Sequence, residues 1–333
     1  MRIGVTYDLR ADYLAMGMSE EESAEFDAEI TIASLCEALA GLGHEPIRIG
    51  HIKALTERLA AGERWDAVFN ICEGLKGYAR EAQVPGLLEA YGIPTVFSDP
   101  LTLALTLDKA WTKRIVQGAG VPTADFALVE RPSDIASISL PFPLFLKPVA
   151  EGSGKGVSER SRVNNPAELR SVAAELLGRF RQPVLVETYL PGREFTVGIT
   201  GTGEDAAVLG IMEIRSTAKG TQSGYSYENK EHWEDRVTLH LVDDVEALAA
   251  ADVALAAWRA LRCRDGGRVD VRNDGEGRPN FIEVNPLAGL NPGHSDLCFI
   301  ARFKGMSHQD LIGLIVASFL KRHPELAARR AAA

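Results

Sequence analysis

Two short segments near the C-terminal end concentrate groups that could hold a metal ion. Gly267-Arg-Val-Asp270 and Asn280-Phe-Ile-Glu-Val-Asn285 flank the turn Asp274-Gly-Glu-Gly277. If they are two strands of a hairpin, alternation places Arg268 and Asp270 on one face of the first. It places Phe281, Glu283 and Asn285 on one face of the second. Two carboxylates and an amide oxygen suit Mg²⁺, which takes a few oxygen ligands and shares the rest with water and phosphate. An arginine beside that metal could stabilise a transferring phosphoryl group or an oxyanion. A solvated hairpin with ordinary surface charges would have the same composition. The Pro286 that follows, and the glycine-rich Leu287-Ala-Gly-Leu-Asn-Pro-Gly293, weigh against it.

Two further segments suit a nucleotide. An apolar strand delivers Lys147, and glycines at 152, 154 and 156 follow. Such a loop can bring backbone N–H groups close to phosphates. The GxxxxGK[ST] and GxGxxG spacings are absent, and an ordinary hairpin turn explains the glycines equally well. Farther on, Val184-Leu-Val-Glu187-Thr-Tyr-Leu190 ends a strand before Pro191-Gly192, and Glu194 starts another. Backbone groups around Glu187–Leu190 could read an adenine edge, and Glu194 could accept from ribose hydroxyls. A plain turn with one exposed glutamate fits the same spacing.

These groups need a scaffold. Strand Arg2–Thr6, helix Ala28–Leu42, strand Glu45–Ile49, helix Ile52–Ala61 and strand Asp66–Ile71 alternate, which predicts a parallel sheet covered by helices. Ligands of such sheets sit at the carboxyl ends of the strands, here after Thr6 and Asn70. Asp99 is placed to cap a helix, and Asp108–Gln117 is helical. From Ala124 strands come in pairs, at Ala124–Val129, Leu144–Pro148, Val184–Glu187, Glu194–Gly201 and Ala206–Arg215, which predicts antiparallel sheet. Helices Ala167–Gly178 and Val245–Cys263 interrupt them, and the last runs about Gln309–Lys321. Thr217–Asp235 is long and polar, as functional loops are.

The bulk numbers exclude several classes. A chain of 333 residues with 46% hydrophobic and 25% charged residues is an ordinary globular protein of two or three units. Its net charge of −10 argues against a nucleic-acid groove. Cys36, Cys72, Cys263 and Cys298 form no CxxC pair, so a zinc site or a disulfide framework is not expected. Arg2–Thr6 suits a strand rather than a signal peptide, and no apolar run is long enough to span a membrane. A cytoplasmic protein is the expectation.

The three chemical segments, in this order, resemble the ATP-grasp fold and specifically the D-alanine–D-alanine ligase family. Pro85-Gly-Leu-Leu-Glu89, Gly92-Ile-Pro94, Leu107-Asp-Lys109, Thr112-Lys113, Lys147-Pro, Glu151-Gly-Ser153, Glu194-Phe-Thr-Val, Arg268-Val-Asp270 and Glu283-Val-Asn285 carry the resemblance, over roughly residues 1–320. It implies an N-terminal α/β substrate-side domain (1–98), a central ATP-grasp subdomain (99–183) and a C-terminal subdomain with the metal and substrate site (184–333). It implies that Lys109 and Lys147 contact ATP phosphates, that Glu187, Tyr189 and Leu190 line the adenine site, and that Glu194 meets the ribose. It implies two Mg²⁺ ions, with Mn²⁺ as a substitute, on Asp270, Glu283 and Asn285. Arg268 and the Gly289 backbone would form the oxyanion site. Lys230, in a lid over the γ-phosphate, would close the site, and Ser295 would hold a substrate carboxylate. A homodimer acting on small amino acids or amines is also implied.

Three departures fall at the substrate end. Asp27-Ala-Glu29-Ile-Thr31 replaces Glu-x-Glu-Val-Ser. Asn70-Ile-Cys-Glu73-Gly74 replaces a Leu-His-Gly loop. Tyr227-Glu-Asn-Lys230-Glu231 replaces Tyr-Glu-Ala-Lys-Tyr. The family's linked trio becomes Asp27, Ser153 and Glu231. Two carboxylates around one hydroxyl do not pair directly when both are ionised. The expectation is therefore an ATP-dependent carboxylate–amine ligase with an altered substrate. A genuine D-alanine–D-alanine ligase and a non-catalytic ATP-binding protein are the alternatives.

Overall fold

The computed structural model describes residues 1–152, 154–217 and 236–327. The chain begins with β1 (Arg2–Thr6), α1 (Arg10–Ala15), α2 (Glu29–Gly41), β2 (Glu45–Gly50), α3 (Ile52–Ala60), β3 (Ala67–Asn70), α4 (Gln83–Ala90) and β4 (Thr95–Val96). The strands form a sheet in the order β2-β1-β3-β4, every pair parallel. Ile3, Val5, Val68 and Phe69 are buried, as strands covered on both faces require. Thr6 Oγ1 donates to Asn70 Oδ1 at 2.9 Å, joining the carboxyl ends of β1 and β3, from which the substrate-side loops depart.

The middle of the chain holds α5 (Pro100–Leu107), α6 (Lys109–Gly118), β5 (Phe126–Val129), β6 (Leu144–Pro148), β7 (Arg162–Val163), α7 (Pro166–Phe180) and β8 (Val184–Thr188). Asp99 and Asp108 cap α5 and α6 by accepting from free backbone N–H groups of the first turn. Each such cap contributes about 1 kcal/mol. The second sheet runs β5-β8-β6-β7, antiparallel throughout.

The third sheet is built from β9 (Glu194–Thr200), β10 (Ala207–Ser216), β11 (Val237–Leu241), β12 (Gly266–Asn273) and β13 (Pro279–Asn285) in the order β11-β10-β9-β12-β13. Helix α8 (Val245–Ala260) buries Ala247, Ala250, Ala254 and Ala257 in the core it shares with this sheet. The fit around Trp258 is close, because a Cβ at Gly267 would come within 2.8 Å of its ring. Helices α9 (Asp296–Phe303) and α10 (His308–Arg322) complete the fold. The expected parallel and antiparallel parts are both present, with the ends of the expected helices shifted by at most three residues.

One expectation about the metal hairpin is corrected. Phe281 does not share a face with Glu283. The ladder pairs Asp270 with Glu283 and then Val271 with Phe281, leaving Ile282 as an extra residue in β13. This bulge turns Ile282 and Glu283 toward the slot between the antiparallel sheets. Phe281 instead packs, fully buried, with Val269, Val271 and Val284.

Candidate active site

The slot between the second and third sheets is lined by Lys109, Lys147, Glu187, Tyr189, Leu190 and Glu194, together with Asp270 and Glu283. Every described residue expected at a nucleotide therefore faces one space. Tyr189 forms an aromatic wall, with the guanidinium of Arg162 4.5 Å and that of Arg272 5.5 Å from its ring centre. Arg272 also reaches Glu194 across the β9–β12 ladder at 3.4 Å.

At the base of the slot lies a buried ionic triad. Glu187 Oε1 is 2.6 Å from Lys113 Nζ, and Oε2 is 2.9 Å from Lys147 Nζ. Burial alone would raise the Glu187 carboxyl, but the two ammonium groups outweigh it and hold the pKa below the ordinary value. Lys113 also donates to Thr123 Oγ1 at 2.5 Å and to the Phe281 carbonyl at 3.4 Å. Sequence reading gave Lys113 no role. Its signal was a lysine three residues after Ala110 and three before Val116, on the buried stripe of α6.

The expected metal ligands come together through the β12–β13 ladder, where Arg268 pairs with Asn285 and Asp270 with Glu283. Asp270 Oδ1 accepts from Thr196 Oγ1 at 2.9 Å, while Oδ2 accepts from Arg268 Nη1 and, at 3.5 Å, from Asn285 Nδ2. Lys109 Nζ lies 3.4 Å from Glu283 Oε2 and donates to the Glu151 carbonyl at 2.5 Å. Arg268 Nε is 3.6 Å from Asp296 Oδ2. Burial works against its charge, but Asp270, Asp296 and Glu283 outweigh that and bind its proton more firmly than usual. The donor set is all oxygen and partly anionic, which fits Mg²⁺.

A second cavity, of about 450 Å³, opens beside the slot and shares Lys109, Glu151 and Glu283 with it. Its walls bring together Asp27, Glu73, Arg268, Gly289 and Ser295. Ser295 ends the glycine-rich loop at the N-cap of α9, and its Oγ accepts from Asn291 N at 3.0 Å. Asp27 and Glu73 are enclosed by protein except toward the cavity. Burial pushes the Asp27 carboxyl up to about 7, with the charge of Asp8 adding to it. Burial and the charges of Glu81, Glu25 and Asp27 raise Glu73 well above the carboxylate range, against the pull of Arg80. Ser153, Lys230 and Glu231 lie outside the described residues.

Sequence reading also passed over Glu25. Its Oε1 accepts from Gly152 N at 2.6 Å, and its Oε2 meets Lys155 at 3.1 Å and Arg80 at 3.4 Å. It ties the segment before α2 to the glycine loop, two residues from where the Asp27 contact was expected.

Residues 115–317 match the family profile described as D-ala D-ala ligase C-terminus. The chain belongs to the D-alanine–D-alanine ligase family. It is an ATP-dependent ligase of peptide-type bonds with an ATP-grasp fold. It is similar to the D-alanine–D-alanine ligase of Bordetella pertussis, with 37% identity over 278 residues, 80% of this chain and 81% of that one. An uncharacterized protein, y4sG, of Sinorhizobium fredii is 30% identical over 305 residues, 85% of each chain. Among solved structures, the D-alanine–D-alanine ligase of Bacillus anthracis superposes with a TM-score of 0.74 at 24% identity, covering 98% of this chain and 99% of that one. The VanG D-Ala:D-Ser ligase of Enterococcus faecalis gives 0.72 at 21% identity, covering 96% and 99%. Among the described residues, no helix of this ligase is long and apolar enough to cross a membrane.

Proposed function

We propose that this ligase joins two amino-acid-like substrates through an acylphosphate, and that its substrates differ from a plain pair of D-alanines. The observation that carries the reading is the adjacency of slot and cavity, whose walls share Lys109, Glu151 and Glu283. A γ-phosphate at the end of the slot would face a carboxylate in the cavity. A carboxylate oxygen attacks the γ-phosphorus and ADP leaves. The amine nitrogen of the second substrate then attacks the acyl carbon, loses its proton, and phosphate departs from the tetrahedral intermediate.

In this reading Glu187, Tyr189 and Leu190 hold the adenine, Glu194 the ribose, and Lys109 and Lys147 the phosphates. Asp270, Glu283 and Asn285 would hold two Mg²⁺ ions, which neutralise phosphate charge when bound. Arg268 and the Gly289 N–H face the developing oxyanion. Asp27 takes the ammonium of one substrate and Ser295 a carboxylate. Ser153 and Lys230 keep the roles that family membership implies, and Glu231, which stands where the family has a tyrosine, is read as a substrate-side carboxylate. Three sheets support a three-part division of the kind expected, 1–98, 99–183 and 184–333, but β8 (Val184–Thr188) pairs within the second sheet, so the second boundary is read after Thr188. The protein is read as a cytoplasmic homodimer.

A genuine D-alanine–D-alanine ligase is the second reading, favoured by the Bordetella relatives. Asp27 and Glu73 at the cavity wall speak for the first. A protein that only binds ATP would need no arginine facing the cavity. Release of ADP and phosphate from Mg-ATP, measured across D- and L-amino acids with product masses, separates the three. Strongest turnover with D-alanine alone would establish the second, and no turnover with any substrate the third.

A further inference from the structure

The cavity wall contributed by the N-terminal part carries more carboxyl groups than one amino-acid ammonium can use. Asp27 accounts for that ammonium in the reading above. Glu73, on the loop after β3, and Glu81, just before α4, face the same cavity. Neither side chain forms a hydrogen bond or ion pair with any described residue. Nearby cations are committed elsewhere. Arg80 reaches Glu25 at 3.4 Å and donates to the Ala150 carbonyl at 3.0 Å. Arg10 pairs with Glu20 at 2.6 Å. Lys109 and Arg268, which also line the cavity, are paired with Glu283 and Asp270.

We propose that Glu73 and Glu81 form a second cation seat, and that one substrate is a diamino acid whose side-chain ammonium enters it. The inference rests on the ligase reading for the place of the α-amino group, but the seat itself can be tested without turnover. A carboxylate largely surrounded by protein, as the half-buried Glu73 and Glu81 are, is costly unless it is paired or neutralised. Burial raises Glu81 to about 7, and Glu73 lies well above its ordinary range, so both wait for a positive partner. The cavity of about 450 Å³ has room for an aliphatic amino acid with a terminal amine beside the acyl partner.

The test is calorimetric titration of the full chain holding Mg²⁺ and a non-hydrolysable ATP analogue. Ornithine and 2,4-diaminobutyrate are compared with norvaline and 2-aminobutyrate, matched partners lacking the terminal ammonium, in both enantiomers. The diamino acid of one hand should bind about tenfold or more tighter than its matched partner. E73Q and E81Q, which keep side-chain shape, should each reduce that ratio toward one without weakening binding of the neutral partner. Equal affinity of the matched pairs, no binding of either, or a ratio unchanged in both variants would overturn the inference. Diamino-acid preference without ADP release would uphold the seat while refuting the ligase reading. ADP release with alanine but no diamino-acid preference would do the reverse.

Discussion

Lys113 and Glu187 meet at 2.6 Å, with 0% and 4% of their side-chain surfaces exposed. The contact joins α6 to β8 beneath the nucleotide slot, and Lys147 closes the triad from β6. Lys113→Met removes one of the two ammonium groups and leaves Glu187 buried against the other. Breaking a buried pair in this way costs about 3 kcal/mol, toward the lower end of the usual range because Lys147 remains. Urea denaturation should show that loss. A larger fall in ATP affinity than in stability would show that the triad also sets the position of Lys147.

Asp270 and Glu283 are cross-strand partners. Asp270→Asn and Glu283→Gln keep shape and remove one charge each from the proposed metal site. Turnover should fall by about 10²–10³-fold or more, a magnitude typical of losing one electrostatic element in a preorganised site. The unfolding midpoint should stay near wild type. Unchanged turnover in either variant would remove that residue from the metal site.

Much of the site was legible in sequence because its residues sit on local, periodic elements. Asp270, Glu283 and Asn285 alternate along one hairpin, and Lys147 ends a short apolar strand. What was hidden depends on distance or irregularity. The bulge at Ile282 reverses Phe281, and no period of two contains it. Lys113 and Glu187 are 74 positions apart and meet only when α6 packs beneath β8. Helix α9 was missed because Leu297, Cys298, Phe299, Ile300 and Ala301 are all buried, so no polar stripe marks its turn. The short edge strand β11 follows residues that carry no regular pattern. Glu25 looked like one more charge in an acidic stretch until the glycine loop came to rest on it.

The raised cavity carboxyls predict an unusual pH dependence. Unfolded Asp titrates near 3.9, according to model peptides, as an approximate reference. Asp27 titrates at about 7 when folded. The native state thus holds its proton more tightly, so this contribution is complete below the unfolded value and is lost as pH rises through about 7. The stability difference between wild type and Asp27→Asn isolates the group. Wild type should lose about 2 kcal/mol relative to the variant between pH 4 and pH 8, after allowing for the side of Asp27 open to the cavity. A difference constant with pH would mean that Asp27 is ionised throughout.

Gly289 sits where a methyl group has no room. A Cβ there would lie 2.8 Å from Ser295 Oγ, which accepts the Asn291 N–H. In Gly289→Ala the serine hydroxyl must turn away and give up that bond, so the loop carrying the proposed oxyanion N–H shifts. The expected result is a fall in kcat/KM of about tenfold or more, since small misplacements at a reacting centre are costly. Ser295→Ala removes the colliding oxygen. If the clash is the cause, the double variant should recover turnover relative to Gly289→Ala alone, giving a coupling energy of about 1 kcal/mol in a double-mutant cycle. If instead Ser295 acts only by holding a substrate carboxylate, the two losses will add and the KM for that substrate will rise in both backgrounds. The cycle therefore separates packing of the loop from substrate recognition at the same residue.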